Sequence, residues 1–252
     1  MAETPLVYRV PQVESRAGRP APWSAILSVL DRIAEPQTCR VETDCHYLLD
    51  APEKAGILIV ALHGFAMNAE VMLRLTRLMV GGDKIIASVE GPFAFHVQPD
   101  DSDSEVAFHW GTRAHRESTI RLHHDIVRRV LDDCRRRVSL PPSRCVLLGY
   151  SQPVGLNYRF AATWTNEVRG VIGICGGVPK NWEEGFGPTP AALLHIAREN
   201  DEFYPAGKSR TFPERLKRHA SDVEFHMLPG AHRFPSKAQG IVQPWLARVC
   251  GV

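Results

Sequence analysis

The sequence predicts an α/β protein: a mostly parallel central sheet covered by helices on both faces, in a single domain. Three observations carry that expectation. Apolar, strand-like runs alternate with segments whose apolar residues recur at helical spacing, the rhythm of a doubly covered parallel sheet. Two runs, ILIVALHG (57–64) and CVLLGY (145–150), are almost continuously apolar and contain a glycine at or near their ends. Strands buried on both faces read this way, whereas half-exposed strands alternate. The chain has 252 residues, 44% of them apolar, enough for one large domain with a substantial core.

Taken in order, residues 1–22 are rich in Pro, Arg and Glu and read as an extended arm. SAILSVLDRIAE (24–35) has helical spacing with Ser24 as its cap. TCRVETDCHYLL (38–49) alternates like a half-buried strand. Residues 1–55 are therefore expected to form an N-terminal extension of arm, helix and edge strand packed on the same domain. Residues 56–252 are expected to form the core. After the strand at 57–64, NAEVMLRLTRLMVGG (68–82) reads as a helix begun by Asn68 and ended by glycines. KIIASVEGP (84–92) is a short strand with a turn. Residues 93–113 read as one long polar and aromatic loop, a length usually tied to function or disorder. ESTIRLHHDIVRRVLDDCRRRV (117–138) is a long amphipathic helix stopped near Pro141 and Pro142.

The second half repeats the pattern. RCVLLGY (144–150), VRGVIGICGG (168–177), AALLHIARE (191–199) and DVEFHMLPG (222–230) read as strands. VGLNYRFAATW (154–164) and SKAQGIVQPWLARVC (236–250) read as helices. YPAGKSRTFPERLKRHA (204–220) reads as largely helical with a break near Pro213.

Parallel sheets carry reactive groups in the loops after the carboxyl ends of their strands. Ser151 stands in such a loop, in GYSQPVG. Its two readings are a nucleophile thrust out on a strand-to-helix turn, or an ordinary N-cap serine. A serine nucleophile needs a base. Downstream lie Asp201 at a strand end and His232 in the loop after the last strand, the Ser–acid–His chain order of α/β hydrolases. His232 would exchange the proton, and Asp201 would hold its imidazole. Glu199 competes with Asp201 for the acid role. His195 and His226 sit in strands and read as structural, and His123 and His124 precede the serine. Backbone N–H groups at Phe65, in HGF, and at Gln152 would serve an oxyanion. Pro153 removes no such donor, but it restricts Gln152. Cys175, in GICGG, is a rival nucleophile placed on a later strand.

LHGF, GYSQ, D201-x-x-Y-P and GAH together resemble the phospholipase/carboxylesterase branch of the α/β-hydrolase superfamily, which includes acyl-protein thioesterase-like enzymes. The resemblance spans roughly residues 55–250. It implies an α/β-hydrolase fold, Ser151, Asp201 and His232 as a catalytic triad, and Phe65 and Gln152 as oxyanion donors. The chain departs from that branch where two glycines follow the glutamine. Here Pro153 and Val154 stand, with Gly155 one place later. The 93–113 segment also differs, so substrate is not carried over.

Phe93, Phe95, Trp110, Phe203, Tyr204 and Phe234 lie in strand-end loops and are expected to line an apolar acyl or alcohol pocket. The expected function is a serine hydrolase of the carboxylesterase type, cleaving carboxylic esters, with thioesters as a variant. The alternative is a non-catalytic binding protein of the same fold, its elbow impaired by Pro153. Net charge is +2, so no polyanionic partner is demanded and nucleic acid is not expected. The N-terminus lacks a signal-peptide core and no stretch is long and apolar enough for a membrane span. A cytoplasmic protein with reduced cysteines is expected. Without C-x-x-C or H-E-x-x-H, no metal or cofactor is expected. The expected partner is a small-molecule ester, and a homodimer is compatible with the chain.

Overall fold

The continuous apolar runs become the middle strands of a seven-stranded sheet. The structure, a computed structural model, describes residues 37–53, 55–98, 101, 103–112 and 114–251. The expected arm (1–22) and helix (24–35) lie outside these described residues. Asp44–Val252 form one compact unit.

Its strands are β1 (Tyr47–Asp50), β2 (Leu58–Leu62), β3 (Ile85–Val89), β6 (Cys145–Tyr150), β7 (Gly170–Ile174), β8 (Ala192–Arg198) and β9 (Val223–Leu228). They lie in the order β1-β3-β2-β6-β7-β8-β9. β1 runs antiparallel to β3, and every other neighbouring pair is parallel. β2 and β6, far apart in the chain but neighbours in the sheet, pair in parallel with Leu58 opposite Cys145 and Leu62 opposite Gly149. That pairing brings the turns after the two strands side by side.

Both faces are covered because successive side chains point to opposite sides. Leu58, Val60 and Leu62 of β2 face one core with α2 (Arg116–Val138) and α3 (Val154–Thr163). Ile57, Ile59 and Ala61 face a second core with α1 (Ala69–Val80) and α7 (Gln239–Cys250). All five β2 residues are fully buried, and each large aliphatic side chain so buried contributes about 1.5–3 kcal/mol. Helix α1 starts where expected, with Asn68 Oδ1 accepting the Val71 N–H at 2.9 Å. Helix α2 ends at Ser139, just before Pro141.

Three expectations are corrected. The strand foreseen at 38–49 is confined to Tyr47–Asp50, because five-residue β3 offers its antiparallel edge to those residues alone. The segment read as a long loop at 93–113 contains an antiparallel hairpin, β4 (Phe93–His96) and β5 (Val106–His109). Two near-identical tetrapeptides, FAFH and VAFH, pair across a polar turn. Finally, 204–220 is not one helix broken at Pro213. Two short helices, α5 (Ala206–Ser209) and α6 (Phe212–Leu216), separate before that proline, which sits in the first turn of α6. Proline is tolerated there because its missing N–H had no helical partner. A further single turn, α4 (Trp182–Gly185), follows β7.

Candidate active site

Ser151 follows the last residue of β6 and has φ of +63°. This left-handed conformation costs a non-glycine residue about 1–2 kcal/mol. The neighbouring strand holds it: the Ser151 N–H donates to the Ile174 carbonyl at 2.7 Å. Pro153 is the N-cap of α3, with φ −77° and ψ −8°, one position before the first turn in which the sequence placed it. The elbow is formed despite the missing glycine. Gly149 lets α3 approach, since a Cβ there would lie 2.7 Å from Asn157 Nδ2. Val154 occupies space that glycines on the adjacent strand leave free. A Cβ at Gly173 would lie 2.8 Å from Val154 Cγ1, and one at Gly176 closer than 3.0 Å to both Val154 Cβ and Cγ2. The small residues needed for close packing have moved from the helix to β7 and its following turn.

The Ser151 Oγ lies 2.9 Å from His232 Nε2. His232 Nδ1 lies 2.8 Å from Asp201 Oδ2. The other Asp201 oxygen accepts the Phe203 and Tyr204 N–H groups at 2.9 and 2.8 Å, so the carboxylate is fixed from both ends. Asp201 is 4% exposed. Glu199 is exposed, and the carboxylate on His232 is that of Asp201. The loop bearing His232 is pinned as well. Its N–H donates to Glu202 Oε2 at 3.1 Å, and its carbonyl accepts the Tyr150 hydroxyl at 3.2 Å. Tyr150, Phe203 and Tyr204 surround the imidazole, with ring centroids 5.5, 4.8 and 5.9 Å away.

The turn after β2 meets this site from the side. His63 is buried. Its Nε2 accepts the Gly91 N–H at 2.8 Å, which assigns the ring proton to Nδ1. That Nδ1–H faces the Gly64 carbonyl at 2.7 Å. The hairpin holds the same turn: Ala66 N–H donates to the Phe108 carbonyl, and Phe108 N–H to the Met67 carbonyl. The Gln152 side chain is clamped at both ends, accepting from Trp110 N–H at 2.9 Å and donating to the Gly111 carbonyl at 2.8 Å. Among the described residues, the Phe65 and Gln152 backbone N–H groups donate to no protein acceptor. This scaffold of His63, the hairpin and Trp110 was not foreseen from the sequence. The paired FAFH and VAFH segments were its only signal.

The rival residues have other environments. His195 is fully buried, bonds the Tyr158 hydroxyl at 2.8 Å, and is pushed down to about 3 by burial. His226 pairs with Glu224. His123 bonds Asn157. Cys175 lies behind the site, its Sγ grouped with potential ligand atoms of Asp201 and His232 within 4.8 Å. Burial, reinforced by Asp201, pushes its thiol up to about 12, so it is protonated near neutral pH. Both His232 nitrogens are already engaged. These atoms are committed to hydrogen bonds rather than arranged as a metal cage.

The expected lining residues divide by position. Phe65 stacks on Phe95 at 5.3 Å, and Phe93 on His109 at 5.2 Å, forming an aromatic cluster on the hairpin. Phe65 and Phe203 are strongly exposed, at 60% and 68%. Trp110 is buried, with its indole N–H on the His63 carbonyl at 2.9 Å, and with Tyr204 it walls a cavity beside Gln152. Phe234 packs edge-on against Tyr150 and lines a separate hollow with Leu228 and Pro229.

No protein-family model and no curated protein sequence matches the chain. Solved structures do. The esterase PE8 superposes with a TM-score of 0.68 at 17% identity, over 82% of this chain and 100% of that one. The Bacillus cereus carboxylesterase gives 0.65 at 15% identity, over 81% and 94%. Arabidopsis thaliana SOBER1 gives 0.60 at 15% identity, over 76% and 98%. With the parallel seven-stranded sheet and its strand-end turns, these likenesses establish the α/β-hydrolase fold for this chain.

Proposed function

We propose that the protein is a serine hydrolase that cleaves carboxylic esters, with thioesters as the nearest variant. The observation that carries this reading is the 2.9 Å approach of Ser151 Oγ to His232 Nε2, with Asp201 2.8 Å from the other ring nitrogen. In the proposed reaction, His232 Nε2 takes the hydroxyl proton as Ser151 Oγ attacks the ester carbonyl. Asp201 holds the Nδ1–H tautomer and stabilises the imidazolium. The Phe65 and Gln152 N–H groups, free of protein acceptors among the described residues, are assigned to the oxyanion. Collapse expels the alcohol, which receives the proton from His232. Water then repeats the sequence on the acyl-enzyme, releasing the acid and regenerating Ser151.

The exposed aromatics Phe65, Phe93 and Phe203 and the half-buried Phe95 are assigned to the apolar part of the substrate, with Trp110 and Tyr204 beside them. Phe234 is assigned a supporting role through Tyr150. The formed elbow and the short serine–histidine distance favour this reading over a non-catalytic protein impaired by Pro153. A reducing cytoplasmic setting accords with six free cysteines. No helix among the described residues is long and apolar enough to cross a membrane.

The test is labelling by a fluorophosphonate probe, read by intact mass and peptide mapping. The expected adduct is on Ser151 and is lost in Ser151→Ala, with parallel loss of p-nitrophenyl ester hydrolysis. An unlabelled folded protein, or activity retained by Ser151→Ala, would sink the proposal.

A further inference from the structure

The cavity beside Gln152 has a volume of about 650 Å³, within the range of small-molecule sites. Gln152 adjoins Ser151 in the chain, and the Tyr204 ring stacks toward His232, so the cavity opens next to the reacting groups. Its charge is one-sided. Arg116, Arg159, Lys180 and Lys208 line it, and no Asp or Glu does. Among the described residues, none of the four forms an ion pair. The whole chain is only +2, so this grouping is not a consequence of general basicity.

Arg116, Lys180 and Lys208 are exposed, and solvated cations at a rim are ordinary. Arg159 is not ordinary. It is 7% exposed, and arginine is almost never buried without a partner. Its Nη2 donates to Asn181 Oδ1 at 2.7 Å, and its guanidinium lies 5.3 Å from the Phe186 ring. A guanidinium has five N–H donors, so one such bond leaves most of them without a protein acceptor among the described residues. Burial pushes its pKa down and nearby Arg116 pushes the same way, with no carboxylate opposing them. No Arg159 nitrogen is both sealed from solvent and without a partner, and the residue lines the cavity, so its free donors are open to an anion there.

We infer that this cavity binds an anionic group of the substrate, a carboxylate or a phosphate, carried a few atoms from the ester carbonyl. The inference rests on the serine-esterase reading and narrows its substrate class. Arg159 supplies the planar donors suited to a two-oxygen anion, and the rim cations add attraction from outside.

Two matched pairs test it and separate the two sources. The first is p-nitrophenyl hexanoate against the mono-p-nitrophenyl ester of adipic acid, which adds a terminal carboxylate to the same acyl length. The second is 2-hydroxyethyl hexanoate against 2-(hexanoyloxy)ethyl phosphate, followed by hexanoate release. At least one anionic member is expected to show about tenfold higher kcat/KM than its neutral partner, with the advantage shrinking as salt rises. Which pair responds identifies carboxylate or phosphate. Arg159→Met and Lys180→Met should each reduce the anionic-to-neutral ratio about fivefold or more; because it is a ratio within one sample, partial loss of folded protein does not mimic the effect. Ester turnover with a ratio near one in both pairs, or a ratio unmoved by both variants, overturns the inference while leaving the esterase reading intact. Absence of turnover together with absence of fluorophosphonate labelling overturns the esterase reading instead. In that event, calorimetric titration with adipate and with pyrophosphate decides the anion site. Binding that is lost in Arg159→Met supports it, and no binding of either anion overturns it.

Discussion

Replacing Gly176 by Ala probes the packing that stands in for the absent elbow glycine. A methyl at 176 would lie closer than 3.0 Å to Val154 Cβ and Cγ2 and 2.8 Å from the Ser151 carbonyl oxygen. Carbon atoms prefer separations of about 3.5–4.0 Å, so α3 and the turn after β7 would have to separate by about an ångström or more. Gly176 has no positive φ, so alanine can adopt its backbone and the cost is steric. Overpacking of this kind costs about 1–3 kcal/mol, and the rigid neighbours here put the expectation near 3. At about 2–4 °C per kcal/mol for a chain of this size, Tm should fall by roughly 6–12 °C. Val154→Gly, which removes a fully buried side chain, should alone cost about 2–3 kcal/mol. In the double variant the new methyl enters the vacated space, so the two losses should fall short of additivity by about 2 kcal/mol. Urea denaturation of the four proteins at 25 °C measures this coupling. Costs that add within about 0.5 kcal/mol would refute the idea that Gly176 and Val154 exchange volume across the elbow. The Gly176→Ala protein should also lose about tenfold or more in kcat, because the same methyl presses on Ser151.

Two further expectations follow from the site and the core. In Asp201→Asn, the amide oxygen can keep the Phe203 and Tyr204 N–H groups. Its NH2 then faces His232 Nδ1 and drives the ring proton to Nε2, toward Ser151. kcat should fall about 10³–10⁴-fold with little change in Tm, and a loss smaller than tenfold would contradict the assigned role. His123, His124 and His195 should make the fold acid-labile. Burial lowers all three: His195 to about 3, His124 to about 4, and His123 well below its ordinary value. Because their folded pKa values lie below the unfolded value of about 6.5, the unfolded chain binds more protons as pH falls. The stability they permit is therefore intact above about pH 6.5 and declines below it, by about 1 kcal/mol for each of His124 and His195 at pH 5.5, with His123 adding a loss in the same direction. Urea midpoints at pH 7.5 and 5.5 check this, and His195→Gln should remove part of the difference. A pH-independent midpoint would count against the burial argument.

Much of the framework was legible because it depends on local patterns. The apolar runs at 57–64 and 145–150 mark β2 and β6, and Asn68 marks the start of α1. Ser151, Asp201 and His232 could be singled out by their order and their strand-end positions, and the fold brings those three side chains together. The hairpin was missed because β4 and β5 form their own two-stranded sheet, and among the described residues its backbone pairs with the turn after β2 at one bridge, Met67 to Phe108. Such an element depends on a long-range contact that leaves little trace in local composition. The cationic cavity was illegible for the same reason. Arg116, Arg159, Lys180 and Lys208 come from four separate segments, and each alone reads as a surface charge. Pro153 was a difficulty only while the elbow was read along the chain. The relief comes from Gly173 and Gly176 across the sheet, where linear spacing does not look.

The same cross-sheet logic explains how the strained edge is held. Ala66, Ser151 and Cys175, with φ of 58°, 63° and 47°, stand past the ends of β2, β6 and β7, which are consecutive in the sheet. At about 1–2 kcal/mol each, their conformations together cost several kcal/mol. That is a large share of the roughly 5–15 kcal/mol net stability of a domain. Each is tied by its own backbone N–H to the neighbouring segment. Ala66 donates to Phe108 at 3.1 Å, Ser151 to Ile174 at 2.7 Å and Cys175 to Ile196 at 2.8 Å. The chain of bonds therefore runs from the hairpin, across the elbow, to β8, and β8 leads directly to Asp201. Loosening the hairpin would release the turn that carries Phe65 and, through Trp110 and Gly111, the Gln152 side chain beside Ser151. The hairpin thus acts as the outer anchor of the strained edge rather than as an ornament on the fold.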